Sequence, residues 1–307
     1  SLGIGAERIV HLAVFTTADP LAGAREMARH VRGEVPAPDF VAREPWQVQV
    51  QSKRVEYRSR YGPSPNYQEG DIPFADVEDG GNLYRPDGEL AVFDMFDLRF
   101  SLSVPAECDM PEAGYPMVLY AHGTGGNYRS YIDYANDLAD QCIAMMGVDQ
   151  IFHGDRPGAP DDPADLNVLF FNFENPIAAR NNTRQSAIDE VQRARLFTET
   201  QAVIPAHVSH TGEPIRFDPE KVMFFGHSQG GLNGPLYLAI DDGARGAVLS
   251  GSGAIITVTL LEKTAPAPSI ADLLPTIFLN LFDDESDEIV VFHPALMLAQ
   301  TGVDVID

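Results

Sequence analysis

One motif constrains this sequence more than any other: Gly226-x-Ser228-x-Gly230, which closes a short apolar run beginning at Val222. Small residues on both sides of a serine allow a sharp reversal, and the apolar run is typical of a buried strand. Residues 232–240 are predicted to form a helix. Strand, turn and helix together predict a nucleophile elbow, in which the positive helix end faces any anion that forms there. A glycine-rich turn without chemistry is the alternative.

Length and charge limit the possible functions. A chain of 307 residues is long enough for one large α/β domain and a smaller one. Its 45 acidic and 21 basic residues give a net charge of −24, which argues against a nucleic-acid partner because phosphates would be repelled. No run approaches the roughly 18 apolar residues of a membrane span. We expect an extracellular or cell-surface protein, in a mature, trimmed or fragmentary form without its signal segment. The sequence does not indicate its oligomeric state.

The cysteines and histidines predict no metal site. Cys108 and Cys142 are too few for a structural zinc site, and the eight histidines show no metal-ligand spacing. The two cysteines precede or begin neighbouring predicted strands, whose starts lie at the same edge of a parallel sheet, so their sulfurs could meet. A disulfide would fit an oxidising compartment; two free thiols are the alternative. His207 and His210 are predicted to be surface residues.

The N-terminal part of the chain predicts a small β-α-β unit. Apolar and β-branched residues predict strands at 8–15 and 46–57. Between them, Asp19 and Pro20 resemble the start of a helix, and apolar residues recur at helical spacing up to Val31. Turn residues then dominate. The predicted division is an accessory module (1–60), a connecting region (61–90) and a main domain (91–307).

The main domain alternates strands with helices, which predicts the α/β class with a mostly parallel central sheet and helices on both faces. The strand at 93–104 alternates apolar and polar residues and is expected to be antiparallel at a sheet edge. The other strands are continuously apolar, as expected when both faces are buried. The remaining predicted elements are strands at 116–121, 142–148 and 246–250, a helix at 131–140 and an amphipathic helix at 176–203.

A glycine-rich segment at 122–126 follows the strand that ends at residue 121. If Ser228 attacks an acyl group, the intermediate carries a negative oxygen that needs aimed N–H groups. The backbone N–H of Gln229, directly after the serine, is one candidate. The backbone N–H of Thr124 is the second, and Gly123 is a further candidate in the same segment. A glycine turn without function is the alternative.

These motifs resemble those of the α/β-hydrolase superfamily over residues 93–307. The resemblance is carried by residues 120–126 (Tyr-Ala-His-Gly-Thr-Gly-Gly), 147–149 (Gly-Val-Asp) and 226–230 (Gly-His-Ser-Gln-Gly). The chain is most similar to secreted or surface-attached bacterial esterases and lipases, including virulence-factor lipases, which carry a segment like residues 180–185. The resemblance implies hydrolysis of a small-molecule or lipid ester through an acyl-enzyme on Ser228, without a metal or organic cofactor. A non-catalytic binding or scaffold protein with the same fold is the alternative.

The resemblance also implies a triad in the chain order serine, acid, histidine. After Ser228 the candidates are Asp287 and His293, which are only six residues apart. In this fold the two normally follow different strands with a helix between them, which needs upwards of about 15 residues. We therefore expect the catalytic acid and base to lie beyond Asp307, and no histidine of this chain to reach the serine. His227 is discounted because it projects away from the Ser228 hydroxyl.

Two long segments, 150–175 and 252–275, are expected to border the substrate pocket. Several apolar side chains in the first would suit an acyl chain, or else form a buried core cluster; they are Leu166, Leu169, Phe170, Phe171 and Phe173. In the same segment, His153 or Asp155 could contact substrate or brace the glycine-rich segment. A purely structural loop is the alternative for these two residues.

Overall fold

The computed structural model describes residues 19–253, apart from 163, 164 and 173, together with seven further positions between 258 and 300. The helices are α1 (Ala22–Glu34), α2 (Ile132–Ala139), α3 (Leu166–Phe170), α4 (Pro176–Thr198) and α5 (Gln229–Ile240). The strands are β1 (Asp39–Phe40), β2 (Gln47–Val50), β3 (Arg54–Asn66), β4 (Glu69–Gly70), β5 (Gly80–Asn82), β6 (Asp94–Pro105), β7 (Tyr115–Ala121), β8 (Ala144–Val148), β9 (Phe217–His227) and β10 (Ala247–Ser250). Within the described residues, no helix combines the length and apolar character needed to cross a membrane.

Half of the main sheet is parallel, with the strands in the spatial order β8-β7-β9-β10. Successive residues of β7 point to opposite faces. Leu119 joins a core cluster that includes Ile188 of α4 and Leu236 of α5, whereas Tyr120 joins a cluster with Ala135 of α2. Helices therefore cover both faces, which explains the continuous apolar run in β7. The predicted α/β fold is confirmed.

The other half of the sheet is antiparallel and continues in the order β8-β6-β3-β1, with β2 also beside β3. The strand predicted at 93–104 is present as β6. Its predicted place at a sheet edge is wrong, because β6 pairs with β3 on one side and β8 on the other. An alternating pattern reports that one face is buried, and it carries no information about whether both edges are paired.

The N-terminal strands belong to this same sheet. The single strand predicted at 46–57 is two strands, β2 and the first part of β3, which pair with each other. The predicted boundary at residue 60 falls inside β3, which pairs with β6 of the main domain, and the predicted connecting region begins within that strand. The helix predicted after Pro20 is present as α1. The strand predicted at 8–15 lies outside the described residues, and the division into domains as a whole stays a prediction.

The long helix α4 is buried on nearly all sides. It was predicted to be an amphipathic helix over residues 176–203, and this is wrong in two respects: the helix ends at Thr198, and its polar residues are buried as well as its apolar ones. Arg193, for example, is fully buried, pairs with Glu190 and donates from Nη1 to the carbonyl oxygen of Tyr120 on β7 (2.8 Å). The helical spacing predicted a helix correctly, but protein rather than solvent covers its polar side chains.

Residues 63–82 form much of the cover over α4. The amide side chains of α4 bind the backbone of this segment. Gln185 accepts from the N–H of Tyr67 and donates to the carbonyl oxygen of Pro65, both at 2.8 Å. Asn181 donates to the carbonyl oxygen of Gly81 (2.8 Å). Buried backbone groups need partners, and this segment finds some of them on a helix. The polar side chains of α4 thus supplement the strand pairs that the segment makes through β3 and through β4 with β5.

Cys108 and Cys142 form a disulfide, with their Cα atoms 5.6 Å apart. They lie just before β7 and β8, which are adjacent parallel strands. The prediction from the shared starting edge of such strands is confirmed. The disulfide closes a loop over 34 positions that contains β7, the glycine-rich segment and α2.

Candidate active site

Ser228 occupies a strained turn between β9 and α5. β9 ends at His227 and α5 begins at Gln229, so the serine is the only residue between strand and helix. Its backbone angles are φ 52° and ψ −112°, a conformation that residues other than glycine rarely adopt. Backbone strain of this kind concentrates at functional sites. The turn has the geometry expected of a nucleophile elbow.

The two glycines of the motif make this turn sterically possible. A Cβ atom at position 226 would lie 2.3 Å from the carbonyl oxygen of Gly230. A Cβ atom at position 230 would lie 2.3 Å from the carbonyl oxygen of Ala121, at the end of β7. In both cases the obstacle is backbone, which cannot move aside like the end of a side chain. Gly226 and Gly230 are therefore required for close backbone approach.

Residues 122–126, called the glycine loop below, lie directly beside the elbow. A Cβ atom at Gly123 would be 2.9 Å from the Cβ of Ser228 and 3.4 Å from its Oγ. The N–H of Gly230 donates to the carbonyl oxygen of His122 (3.2 Å), which ties the loop to the start of α5. The fold thus brings together the two segments that the sequence singled out.

The three predicted oxyanion-binding residues are neighbours in the structure. Thr124 Oγ1 donates to Gln229 Oε1 at 2.9 Å, which joins the glycine loop to the residue after Ser228. Gln229 is the first residue of α5, so its backbone N–H has no partner within the helix. Gly123 lies beside the serine hydroxyl on the loop side, since a Cβ there would be 3.4 Å from Ser228 Oγ. Their role in binding an oxyanion stays a prediction.

Two buried imidazoles, His122 and His153, pack edge to face with ring centres 4.8 Å apart. Nε2 of His122 faces the N–H of Gln150 (3.0 Å), and Nε2 of His153 faces the N–H of Gly125 (3.0 Å). A backbone N–H can only donate, so both Nε2 atoms accept and both rings carry their proton on Nδ1. Burial, and then the neighbouring His153, lower the pKa of His122 to about 3. Burial also lowers the pKa of His153.

The sequence offered two roles for His153 and Asp155, contact with substrate or a brace for the glycine loop. His153 does contact the glycine loop, through the N–H of Gly125. Asp155 instead pairs with Arg60 and lies 3.4 Å from Arg99, away from the loop. Of the two residues, only His153 is placed to support the site.

Asp149, at the end of β8, is committed to a structural cluster. Its Oδ1 accepts from the N–H of Tyr128 (2.9 Å) and its Oδ2 pairs with Arg99 Nε. The Arg99 guanidinium in turn lies over the Tyr128 ring, 4.2 Å from its centre. This cluster fixes the chain directly after the glycine loop.

Sequence reasoning missed Gln150 and Asn233, which link the glycine loop to α5. Asn233 Nδ2 donates to Gln150 Oε1 (2.9 Å), and Gln150 Nε2 donates to the carbonyl oxygen of His122. Both are buried. One signal was available for Asn233: it follows Gln229 by four residues and therefore shares its helix face. Gln150 had none, because its partner on α5 is distant in sequence.

Within residues 19–253, none of the described histidines is bonded to the Ser228 hydroxyl. His227 Nδ1 lies 3.2 Å from Ser250 Oγ on β10, which agrees with the prediction that its ring avoids the serine hydroxyl. His207 and His210 are exposed, as predicted. Asp287 and His293 lie outside the described residues, so the triad acid and base stay predictions.

The apolar side chains proposed to hold an acyl chain pack into a small core instead. Leu166 belongs to a buried cluster with Phe74, Ile151, Phe152 and Ala178, and Leu169 packs against it. Phe170 is also buried and its ring contacts Phe171. Phe173 lies outside the described residues. The alternative, a buried core cluster, is the one that the described residues support.

A groove of about 670 Å³ lies elsewhere in the described part of the chain. Residues at the sheet edge and after α4 line it, among them Phe40, Trp46 and Val208. It contains none of the predicted site residues. Because the groove lacks a strained nucleophile, the geometry at Ser228 identifies the candidate active site better than cavity size does. No cluster of His, Cys, Asp or Glu among the described residues could hold a metal ion.

No protein-family model matches this chain, and no curated protein matches it. Its structure is similar to acetyl xylan esterase from a Paenibacillus species, with a TM-score of 0.52 and 13% identity over 96% of this chain and 76% of that chain. It is also similar to acetyl xylan esterase 1 from a Thermoanaerobacterium species, with a TM-score of 0.53 and 14% identity over 96% and 74% of the two chains. At these identities the likeness concerns the fold. The chain has the α/β-hydrolase fold.

Proposed function

We propose that this protein is a serine hydrolase that cleaves carboxylic esters through an acyl-enzyme on Ser228. The observation that carries the proposal is the strained backbone of Ser228, held at the end of β9 against the glycine loop. A turn with no chemical role has no reason to keep a serine at a positive φ beside Gly123, because glycine would relieve the strain.

In the proposed reaction, Ser228 Oγ attacks the carbonyl carbon of the ester. The backbone N–H groups of Gln229 and Thr124 receive the negative oxygen of the tetrahedral intermediate, and the N-terminal end of α5 adds a favourable dipole. A histidine accepts the serine proton and passes it to the leaving alcohol. Water then hydrolyses the acyl-enzyme by the same steps. The spacing of only six residues disfavours His293 with Asp287 as this base and its acid.

The substrate proposal is an ester with a short acyl group. The two similar structures are, by their names, acetyl xylan esterases. The apolar side chains around Leu166 are buried in a core cluster with Phe74 and Phe152, so they are occupied by packing rather than free to line an acyl channel. We therefore prefer short esters to lipids. The disulfide between Cys108 and Cys142 supports an oxidising location outside the cytoplasm.

A fluorophosphonate probe tests the proposed nucleophile. Wild-type protein should be labelled on Ser228, and Ser228→Ala should not be labelled at all. Ser252→Ala is the matched control, since Ser252 is an exposed serine near the same turn, and this variant should be labelled like the wild type. If folded wild-type protein takes up no probe, the non-catalytic scaffold is supported instead.

Acyl-chain preference is measured on p-nitrophenyl esters of increasing length. We expect kcat/KM to fall from acetate to octanoate by at least about tenfold, which corresponds to about 1.4 kcal/mol. A rise with chain length would favour the lipase interpretation.

A further inference from the structure

The glycine loop needs an external support. Glycine leaves the backbone free to rotate, and Gly125 adopts a positive φ of 79°. An oxyanion donor is effective only if it is fixed before the reaction. The side chains that bind the loop backbone therefore determine whether its N–H groups point at the position of the oxyanion.

Two consecutive peptide groups of the loop are each held by one imidazole. The carbonyl oxygen of Gly123 accepts from Nδ1 of His122 (2.8 Å) and from the N–H of Gly126 (2.9 Å). A peptide is planar and trans, so fixing this carbonyl also fixes the direction of the Thr124 N–H, which points the opposite way. The next N–H, that of Gly125, donates to Nε2 of His153 (3.0 Å).

Each imidazole is itself oriented by its other nitrogen. Nδ1–H of His153 donates to the carbonyl oxygen of Ile151 (2.7 Å), and Nε2 of His122 accepts from the N–H of Gln150 (3.0 Å). Both rings are 1% exposed, so water does not compete for these bonds. His153 thus lies on the chain that follows β8 and reaches across to the loop that follows β7, whereas His122 belongs to that loop and is tied to the chain after β8 through Gln150.

We infer that His153, together with His122, is a positioning residue for the proposed reaction: it fixes the oxyanion donors of the glycine loop, and only as a neutral imidazole. The inference rests on the proposed function. A second proton on His153 would occupy Nε2 and face the N–H of Gly125, donor against donor. That hydrogen bond would be lost, and the loop would move away from Ser228.

Burial lowers the pKa of His153 against the opposing effect of Asp149, so the neutral ring is favoured. The charged groups that face His153 are Asp149 and Arg156, and the partly polar neighbour is His122. Asp149 is occupied by Arg99 and by the Tyr128 N–H. The Arg156 guanidinium disfavours a further positive charge, and it pairs with Asp189 on α4. On the other side, Arg193 of α4 acts on His122 in the same sense.

Two substitutions at position 153 separate positioning from mere packing. His153→Gln places an amide oxygen near the position of Nε2, so it can accept from Gly125 without titrating. His153→Leu has a similar volume and no acceptor. His210→Gln is the control, because His210 is an exposed histidine bonded to Tyr57, far from the elbow in the fold.

We expect His153→Leu to lower kcat for p-nitrophenyl acetate about 100-fold at pH 7, as for a lost oxyanion donor, with KM changed less than about threefold. His153→Gln should recover kcat to within about tenfold of the wild type. In acid, log kcat/KM of the wild type should fall with a slope approaching 2 once His153 titrates together with the catalytic base. The slope should stay near 1 for His153→Gln.

The inference is overturned if folded His153→Leu keeps wild-type kcat, or if the Leu and Gln variants are equally impaired. If His153→Leu does not fold, the acid slope of His153→Gln decides alone. If the wild type neither hydrolyses esters nor takes up the phosphonate, the proposed function has failed, and the amide hydrogen exchange of Gly125 tests the brace. Exchange at Gly125 that is at least tenfold faster in His153→Leu than in His153→Gln supports the brace, and equal exchange in the two variants refutes it.

Discussion

The two strand-to-helix turns that meet at Ser228 are held by different physical means. The elbow between β9 and α5 is fixed by steric exclusion, since a single added Cβ at position 226 or 230 would meet backbone at 2.3 Å. The glycine loop between β7 and α2 is fixed by side-chain hydrogen bonds from His122 and His153. The elbow has almost no alternative conformation, whereas the glycine loop has many, of which the hydrogen bonds stabilise one.

This difference determines what each turn responds to. Steric exclusion is independent of pH, and a substitution that violates it acts in an all-or-none way. Hydrogen bonds from imidazole depend on protonation and can be weakened by degrees. In a serine hydrolase the nucleophile would therefore be permanently set, while the oxyanion donors would be adjustable.

The largest effect should follow Gly230→Ala. The new Cβ would press on the carbonyl oxygen of Ala121, which should lower the free energy of unfolding by at least about 3 kcal/mol and abolish phosphonate labelling. Gly246→Ala is the control, because a Cβ there meets nothing within 4 Å, and it should stay within about 0.5 kcal/mol of the wild type. Urea unfolding measures both. Similar midpoints for the two variants would show that the elbow is not sterically fixed.

Removing the disulfide should affect the two turns unequally. It closes a loop over 34 positions that contains the glycine loop but not the elbow. Replacing Cys108 and Cys142 by Ser should lower the free energy of unfolding by about 2–4 kcal/mol. Hydrogen exchange should rise in α2 and the glycine loop more than in β9. An equal rise in both regions would contradict the proposed independence of the two turns.

Acid should destabilise the support of the glycine loop. The pKa of His122 is about 3 in the folded chain and about 6.5 when unfolded. Between these values the unfolded state binds a proton that the folded state does not, so stability is lost as pH falls. The slope is about 1.4 kcal/mol per pH unit for this group. Urea unfolding at several pH values from 7 to 4 measures this dependence. Below about pH 6.5 the free energy of unfolding of His122→Gln should fall less steeply than that of the wild type, by about 1.4 kcal/mol per pH unit. Parallel curves would exclude His122 as the cause.

The smallest effect concerns the bond that joins the two turns. Thr124→Val removes the hydroxyl that donates to Gln229 Oε1 and should lower the free energy of unfolding by about 1 kcal/mol, because a buried acceptor loses its partner. Thr124→Ser keeps the hydroxyl and should behave like the wild type. Both variants are tested by thermal unfolding, and their kcat values are measured in parallel. If Ser and Val variants are indistinguishable, the two turns are not coupled through this bond.

The elbow could be predicted from sequence because its determinants are local. Gly226, Ser228 and Gly230 lie within five positions, and the flanking elements have clear periodicity. The glycine loop was also recognisable, from its place after a buried strand. In each case the residues that make the turn are consecutive, so the pattern and the structure carry the same information.

The supports could be predicted only in part, because their partners are distant in sequence. A brace was one of the two roles offered for His153, which binds a loop 28 positions earlier, but the bond between Asn233 and Gln150, 83 positions apart, was not foreseen. The predictions for β6, which lies inside the sheet, and for α4, which is buried, were wrong for the same reason. Strand pairing and helix burial depend on which segments come together in space. Helical periodicity located α4 correctly but could not reveal that residues 63–82 cover its polar face.

The hydrogen bonds between α4 and residues 63–82 also limit how this protein can be recombined. Gln185 and Asn181 bind the backbone of that segment rather than its side chains, so these contacts tolerate sequence changes that keep its path. Gln68 and Gly81 are exceptions, because the Gln68 side chain binds Asn182 and a Cβ at position 81 would lie 2.8 Å from the Cβ of Ala178. A change in length is not tolerated, because it would shift the carbonyl groups out of register with the amides. In a chimera with another hydrolase of this fold, α4 and residues 63–82 must therefore be transplanted together.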